Sequence, residues 1–164
     1  MSEEIIIVDD LYDIPHMYHK GFYQNKCLIS EETVGKITQI LGHPIEIIQA
    51  SNESEDLPGV LAHLQSDWIA VIYLSLPVES FGEFGLKFYS HIETGLESFP
   101  SQEEMIKYKI DDLQKVFSCD LTLWKEYANI TARYNRMVLF KSNRWHSYSS
   151  NNIKYQKLII KNSQ

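Results

Sequence analysis

Two apolar runs stand out along the chain: Trp68-Ile69-Ala70-Val71-Ile72-Tyr73-Leu74 and Met137-Val138-Leu139-Phe140. Both are short, rich in β-branched and aromatic residues and bounded by polar ones, the pattern of strands buried in a sheet. Further strands are predicted over Ile5–Val8, Ile45–Ala50, Val60–Gln65, Trp68–Leu76, a run ending at His91, Thr131–Tyr134, Met137–Lys141, Trp145–Tyr148 and Tyr155–Lys161. Turn chemistry separates them at Ser51–Pro58, Pro77–Gly85, Asn135-Arg136 and Asn151-Asn152.

Helical signals are fewer. Pro15 suits the first turn of a helix reaching about Gln24. Ser30 followed by Glu31 and Glu32 opens a second helix; Val34, Ile37, Ile40 and Leu41 share one face of it, and Gly42 with Pro44 stops it. Ser101 to about Phe117 has mixed helical spacing, and Asp120 is placed to cap a short helix carrying Leu123, Trp124 and Tyr127. The expected whole is one domain over residues 1–164, mainly β with flanking helices: a jelly roll or cupin-like barrel with N-terminal helices and a helical insert near 101–127.

A chain of 164 residues can bury a core without metal or disulfide support, so a metal here would serve chemistry more than folding. The net charge of −7 repels phosphate backbones and anionic membranes, which argues against nucleic acid or membrane partners. Cys27 and Cys119 match no metal-ligand spacing and are expected as reduced thiols, with one disulfide between them the alternative. The acidic start, Met-Ser-Glu-Glu, does not read as a signal peptide, and the expected location is cytoplasmic.

Two histidines carry the candidate chemistry. His63 lies on one apolar strand run, and His146 follows another. A barrel can bring such a pair of imidazoles to one metal at its open end. A single buried histidine is ordinarily a hydrogen-bonded core residue, so it is the pairing that singles these two out. His16 and His19 have a helical spacing but no third partner and are expected to face solvent; no nucleophile elbow, phosphate loop or cysteine-based zinc pattern is present.

Several segments together resemble the double-stranded β-helix proteins of the iron(II)/2-oxoglutarate dioxygenase superfamily, in particular small bacterial members. They are Val8-Asp9-Asp10-Leu11-Tyr12, His63 ahead of Trp68, Ala70–Leu74, Gly85–Leu96, and Tyr134–Phe140 leading to His146-Ser147. The resemblance implies iron(II) held by two His and one carboxylate, with three positions left for 2-oxoglutarate and oxygen. His63 and His146 take the two histidine positions. The carboxylate position, two residues after His63 and on the same face of an extended strand, holds Gln65, a weaker ligand; Asp67 could substitute only through a bulge at Ser66.

The arginine that would grip the far carboxylate of 2-oxoglutarate is replaced, by position, with Lys154 or Lys157, and Tyr73 could add a hydroxyl. Tyr89 and His91 are placed to line a substrate cavity. The implied activity is oxidation of a small molecule or peptide side chain. The alternatives are a catalytically silent binding barrel and a metalloenzyme that does not use 2-oxoglutarate.

Overall fold

A computed structural model of the chain describes residues 5–18, 29–53, 57–75, 84–118, 120–149 and 153–163. Cys27, Cys119, His19, the later part of the N-terminal helix and the Asn151-Asn152 turn lie outside those residues. Among the described residues the strands are β1 (Ile6–Val8), β2 (Ile45–Glu53), β3 (Leu57–Leu61), β4 (Trp68–Tyr73), β5 (Gly85–His91), β6 (Trp124–Thr131), β7 (Arg136–Lys141), β8 (His146–Ser149) and β9 (Tyr155–Asn162). Residues 15–18 are helical, and the further helices are α1 (Glu31–Leu41), α2 (Gln102–Lys107) and α3 (Leu113–Val116), with a 3-10 turn over Leu121–Leu123. No helix among the described residues is long and apolar enough to cross a membrane.

The strands form two antiparallel sheets, ordered β1-β7-β4-β9-β2 and β3-β8-β5-β6. Their pairing is nested: β2 with β9, β3 with β8, β4 with β7, and β5 with β6. One long hairpin, turning between β5 and β6, is thus folded across two sheets, and the extra pairs β4·β9 and β5·β8 stitch each sheet together. This nesting places β8 and β9, from the end of the chain, beside β3 and β2, from its first half.

The larger sheet is buried on both faces, which explains why its central strands read as unbroken apolar runs. On β4, Ile69, Val71 and Tyr73 point between the sheets and meet Leu86, Phe88, Val138 and Phe140. The alternate residues Ala70, Ile72 and Leu74 pack outward with Met137, Leu139, Leu158 and Ile160 against Ile37 of α1 and Leu11, Tyr12 and Tyr18. Helix α1 forms as its sequence dictates: Ser30 accepts the Thr33 N–H, and Gly42 closes it in the left-handed conformation at φ 76°. Asn135, also left-handed at φ 64°, ties down the N-terminal segment by accepting the Tyr12 N–H and donating to the Tyr12 carbonyl, both at 2.9 Å.

Three expectations need correction. The helix expected to carry Leu123, Trp124 and Tyr127 is a single 3-10 turn followed by strand β6. Its helical spacing is fortuitous: pairing with β5 sets its conformation. The strand expected over Val60–Gln65 ends at Leu61, so His63 and Gln65 lie in an irregular connection. The strand expected over Thr131–Tyr134 is instead the end of β6 and a tight turn.

Candidate metal and cosubstrate site

His146 opens β8, and its neighbour across the ladder is Leu61, the last residue of β3. Two residues beyond Leu61 the chain reaches His63, whose backbone N–H donates to the Ser142 carbonyl at 2.8 Å. These pairings bring both imidazoles to one cavity of about 180 Å³ between the sheets, lined also by Leu61, Ile69, Tyr148, Lys157 and Ile159. Residues from β3, β4, β8 and β9 therefore meet at one point, although His63 and Lys157 lie far apart in sequence.

His146 is only 2% exposed. Burial pushes its pKa down to about 4, opposed by a hydrogen bond to the Arg144 carbonyl and assisted by the neighbouring Lys157 and His63. The ring is therefore neutral at pH 7. A carbonyl can only accept, so Nδ1–H donates to the Arg144 oxygen at 2.6 Å. This leaves Nε2 as the acceptor, and the Tyr148 hydroxyl donates to it at 3.1 Å. Fixing one imidazole nitrogen on a backbone carbonyl so that the other offers a lone pair is how proteins orient histidine toward a metal.

His63 is held in a similar way: its Nδ1 shares a hydrogen bond of 2.7 Å with Ser66 Oγ. The Ser66 carbonyl in turn accepts from the Ser142 hydroxyl at 2.6 Å, tying the His63 connection to the turn after β7. His63 also lines a wider outer groove of about 460 Å³, with Leu64, Ser98, Phe99, Glu104 and Asn143 on its walls. It thus stands between that groove and the inner cavity.

Lys157 projects from β9 with its side chain 17% exposed. Its ammonium lies 3.9 Å from Glu53 Oε1 and 5.5 Å from the centre of the Tyr148 ring. The Tyr148 phenol is held well above its ordinary pKa, first by burial and then by the neighbouring Tyr155, Tyr73 and Glu53, so it remains protonated at neutral pH.

The other predicted site residues lie elsewhere. Gln65 is exposed and lines neither the cavity nor the groove. Asp67 lines the outer groove, but its Oδ2 accepts the Asn162 N–H at 2.8 Å and its own N–H donates to the Ile160 carbonyl at 2.9 Å, which anchors the connection to the end of β9. Lys154 precedes β9, where its N–H donates to the Ser75 hydroxyl at 2.6 Å. Tyr73 is buried between the sheets against Tyr155, and burial raises its phenol pKa. Tyr89 bonds Ser147 Oγ at 2.8 Å and packs with Trp124 and Trp145. His91 lines a separate cleft of about 360 Å³ with Glu93, Lys109, Asp112, Lys115 and Leu123.

Among the described residues, no group of three His, Cys, Asp or Glu side chains is arranged to hold a metal ion. The polar side chains lining the cavity are two imidazoles, a phenol and an ammonium; the imidazoles fit the nitrogen half of an iron site, the ammonium has no lone pair for a metal, and no carboxylate is among them. Tyr148 is a lining residue that a search of the sequence for carboxylate ligands does not find. Its signal was His146-x-Tyr148, since residues two apart share a face of a strand. No family model matches the chain, and no curated protein matches it either.

Proposed function

We propose that this chain is a non-haem iron(II)-dependent oxygenase, built on a double-stranded β-helix, that uses 2-oxoglutarate to oxidise a small molecule or a peptide side chain. The nested pairing supports the fold: a four-strand arm, β2 to β5, returns as β6 to β9 and rolls into two sheets, as in a jelly roll. The observation that carries the function is the convergence of His63 from the connection after β3, His146 from β8 and Lys157 from β9 on one cavity.

In this reading His63 and His146 hold the metal through Nε2. Iron(II), when bound, supplies the oxygen chemistry that protein side chains cannot perform. Lys157 attracts the far carboxylate of the keto acid as a point charge, exchanging its contact with Glu53 for one with the ligand. Leu61, Ile69 and Ile159 form apolar walls that limit water. The substrate approaches through the outer groove, which His63 separates from the inner cavity.

The test is incubation with iron(II), 2-oxoglutarate and oxygen. The expected result is succinate formation, with Lys157→Ala raising KM for 2-oxoglutarate at least about tenfold while iron uptake is retained. Absence of both iron uptake and succinate contradicts the proposal. Because no third acidic ligand is arranged among the described residues, a second reading is a silent barrel, in which 2-oxoglutarate binds at Lys157 without turnover. Two neutral imidazoles also suit copper, nickel or zinc without 2-oxoglutarate, and metal analysis of protein purified without chelator distinguishes that case.

A further inference from the structure

The cavity contains one oxygen donor that the two-histidine reading leaves unused. Tyr148 follows His146 by two residues on β8, so both side chains leave the same face of the strand and line the same cavity. Tyr148 Oη lies 3.1 Å from His146 Nε2. Two donors bound at right angles to one ion, each about 2.1 Å from it, stand about 3 Å apart. The nitrogen and the phenol oxygen are therefore already separated by about one edge of a coordination polyhedron, and an ion touching both stands off the line that joins them. Their present hydrogen bond uses the same lone pair that a metal would use.

The Tyr148 ring is well fixed. It stacks on Tyr155 at 5.7 Å with 6° between the planes and meets His146 edge-on at 5.1 Å. Positioning by packing of this kind is what a ligand requires. Gln65 lines neither pocket, Asp67 is engaged with Asn162, and the Ser66 hydroxyl is used on His63 Nδ1, on the far side of the ring from Nε2.

We propose that Tyr148 is the third protein ligand, completing a set of two imidazoles and one phenolate with His63 and His146. This rests on the reading of those two histidines as ligands. On coordination the O–H bond breaks, the proton passes to solvent, and the oxygen electron pair forms the bond to the metal; no redox change accompanies the step. A phenolate supplies the single negative charge that a carboxylate would otherwise bring, so the formal charge of the site is that of a two-His-one-carboxylate centre. It is also a hard oxygen donor suited to iron.

The experiment loads the full chain with iron(II) anaerobically, measures affinity by titration, and then oxidises the bound iron with one equivalent of ferricyanide, which takes up the electron as ferrocyanide. A visible phenolate-to-iron(III) charge-transfer band is expected, reporting ligation independently of activity. Tyr148→Phe, which keeps the stacked ring, is expected to lose the band and bind iron(II) at least about tenfold more weakly, with its far-UV spectrum unchanged. Iron bound through His63 and His146 without a band, and with Tyr148→Phe binding as wild type, overturns this inference and leaves the two-histidine site standing. Tighter binding by Tyr148→Phe also overturns it, because the phenol then guards Nε2 instead of binding metal. No iron uptake by the wild-type chain overturns both.

Discussion

His91 and His146 are both almost fully buried beside aromatic rings, at 1% and 2% exposure, yet the regions around them are built differently. His91 ends β5, and its Nδ1 is held within its own turn by Thr94, at 3.0 Å from the hydroxyl. Its ring lies against Phe117 at 4.9 Å and Trp124 at 5.2 Å. His146 is fixed by a backbone carbonyl, its other nitrogen accepts from Tyr148, and its ring lines a cavity to which β3 and β9 also contribute. The difference teaches that burial alone does not make a candidate site. What matters is that polar groups from distant parts of the chain line one cavity, and the nested hairpin provides that at His146, where His63 and Lys157 line the cavity as well.

The comparison breaks most sharply under substitution of His63 and His146, the two proposed ligands. His63→Ala and His146→Ala are expected to weaken iron(II) binding by at least about 100-fold with far-UV spectra intact, whereas His91→Ala leaves the affinity at the wild-type value. Equal loss in all three, measured by anaerobic titration, would erase the distinction. The reverse experiment targets the aromatic region. Trp124→Ala should cost about 3–5 kcal/mol of stability in denaturant unfolding, because it removes a large buried ring from the Tyr89, Trp124 and Trp145 cluster, and should leave iron affinity unchanged.

A third prediction uses protons in place of mutations. His146 titrates at about 4 in the folded chain against 6.5 unperturbed, so between those values the unfolded chain binds the proton and the folded chain resists it. Stability is therefore fully present above pH 6.5, falls on acidification toward pH 4, and levels off below; the loss amounts to about 3 kcal/mol. In His146→Asn this increment should be missing from unfolding curves taken at pH 7 and pH 4.5. The smallest effect is expected at Gln65, which is exposed outside both pockets. Gln65→Asp should change iron affinity by less than about twofold, and a large gain would bring that side chain into the site.

The central strands were legible from sequence because β4 and β7 are buried on both faces, which makes them unbroken apolar runs that need no tertiary information to find. Helix α1 was legible from its cap, its stop and its apolar face. Strand β6 was not: it is an edge strand with half of its side chains exposed and only Trp124 buried, so burial leaves no clean alternation on it, and Leu123, Trp124 and Tyr127 fall at helical spacing by chance.

At the site, the two histidines could be picked out because each adjoins a recognisable strand. The third donor could not be argued by parity from His63, because the strand carrying that argument ends at Leu61. Lys157 was one of two candidates on sequence grounds; the register of β9 against β4 and β2 places it, and not Lys154, at the cavity. Such choices depend on strand register, and local sequence pattern does not carry register across a roll of this size.

The most direct test of the central claim is X-ray absorption on the iron-loaded chain, read for imidazole scattering in the wild type and in His63→Ala and His146→Ala. Two imidazoles in the wild type and one in each variant is the predicted result. A metal shell without imidazole, or one unchanged by either substitution, would contradict it.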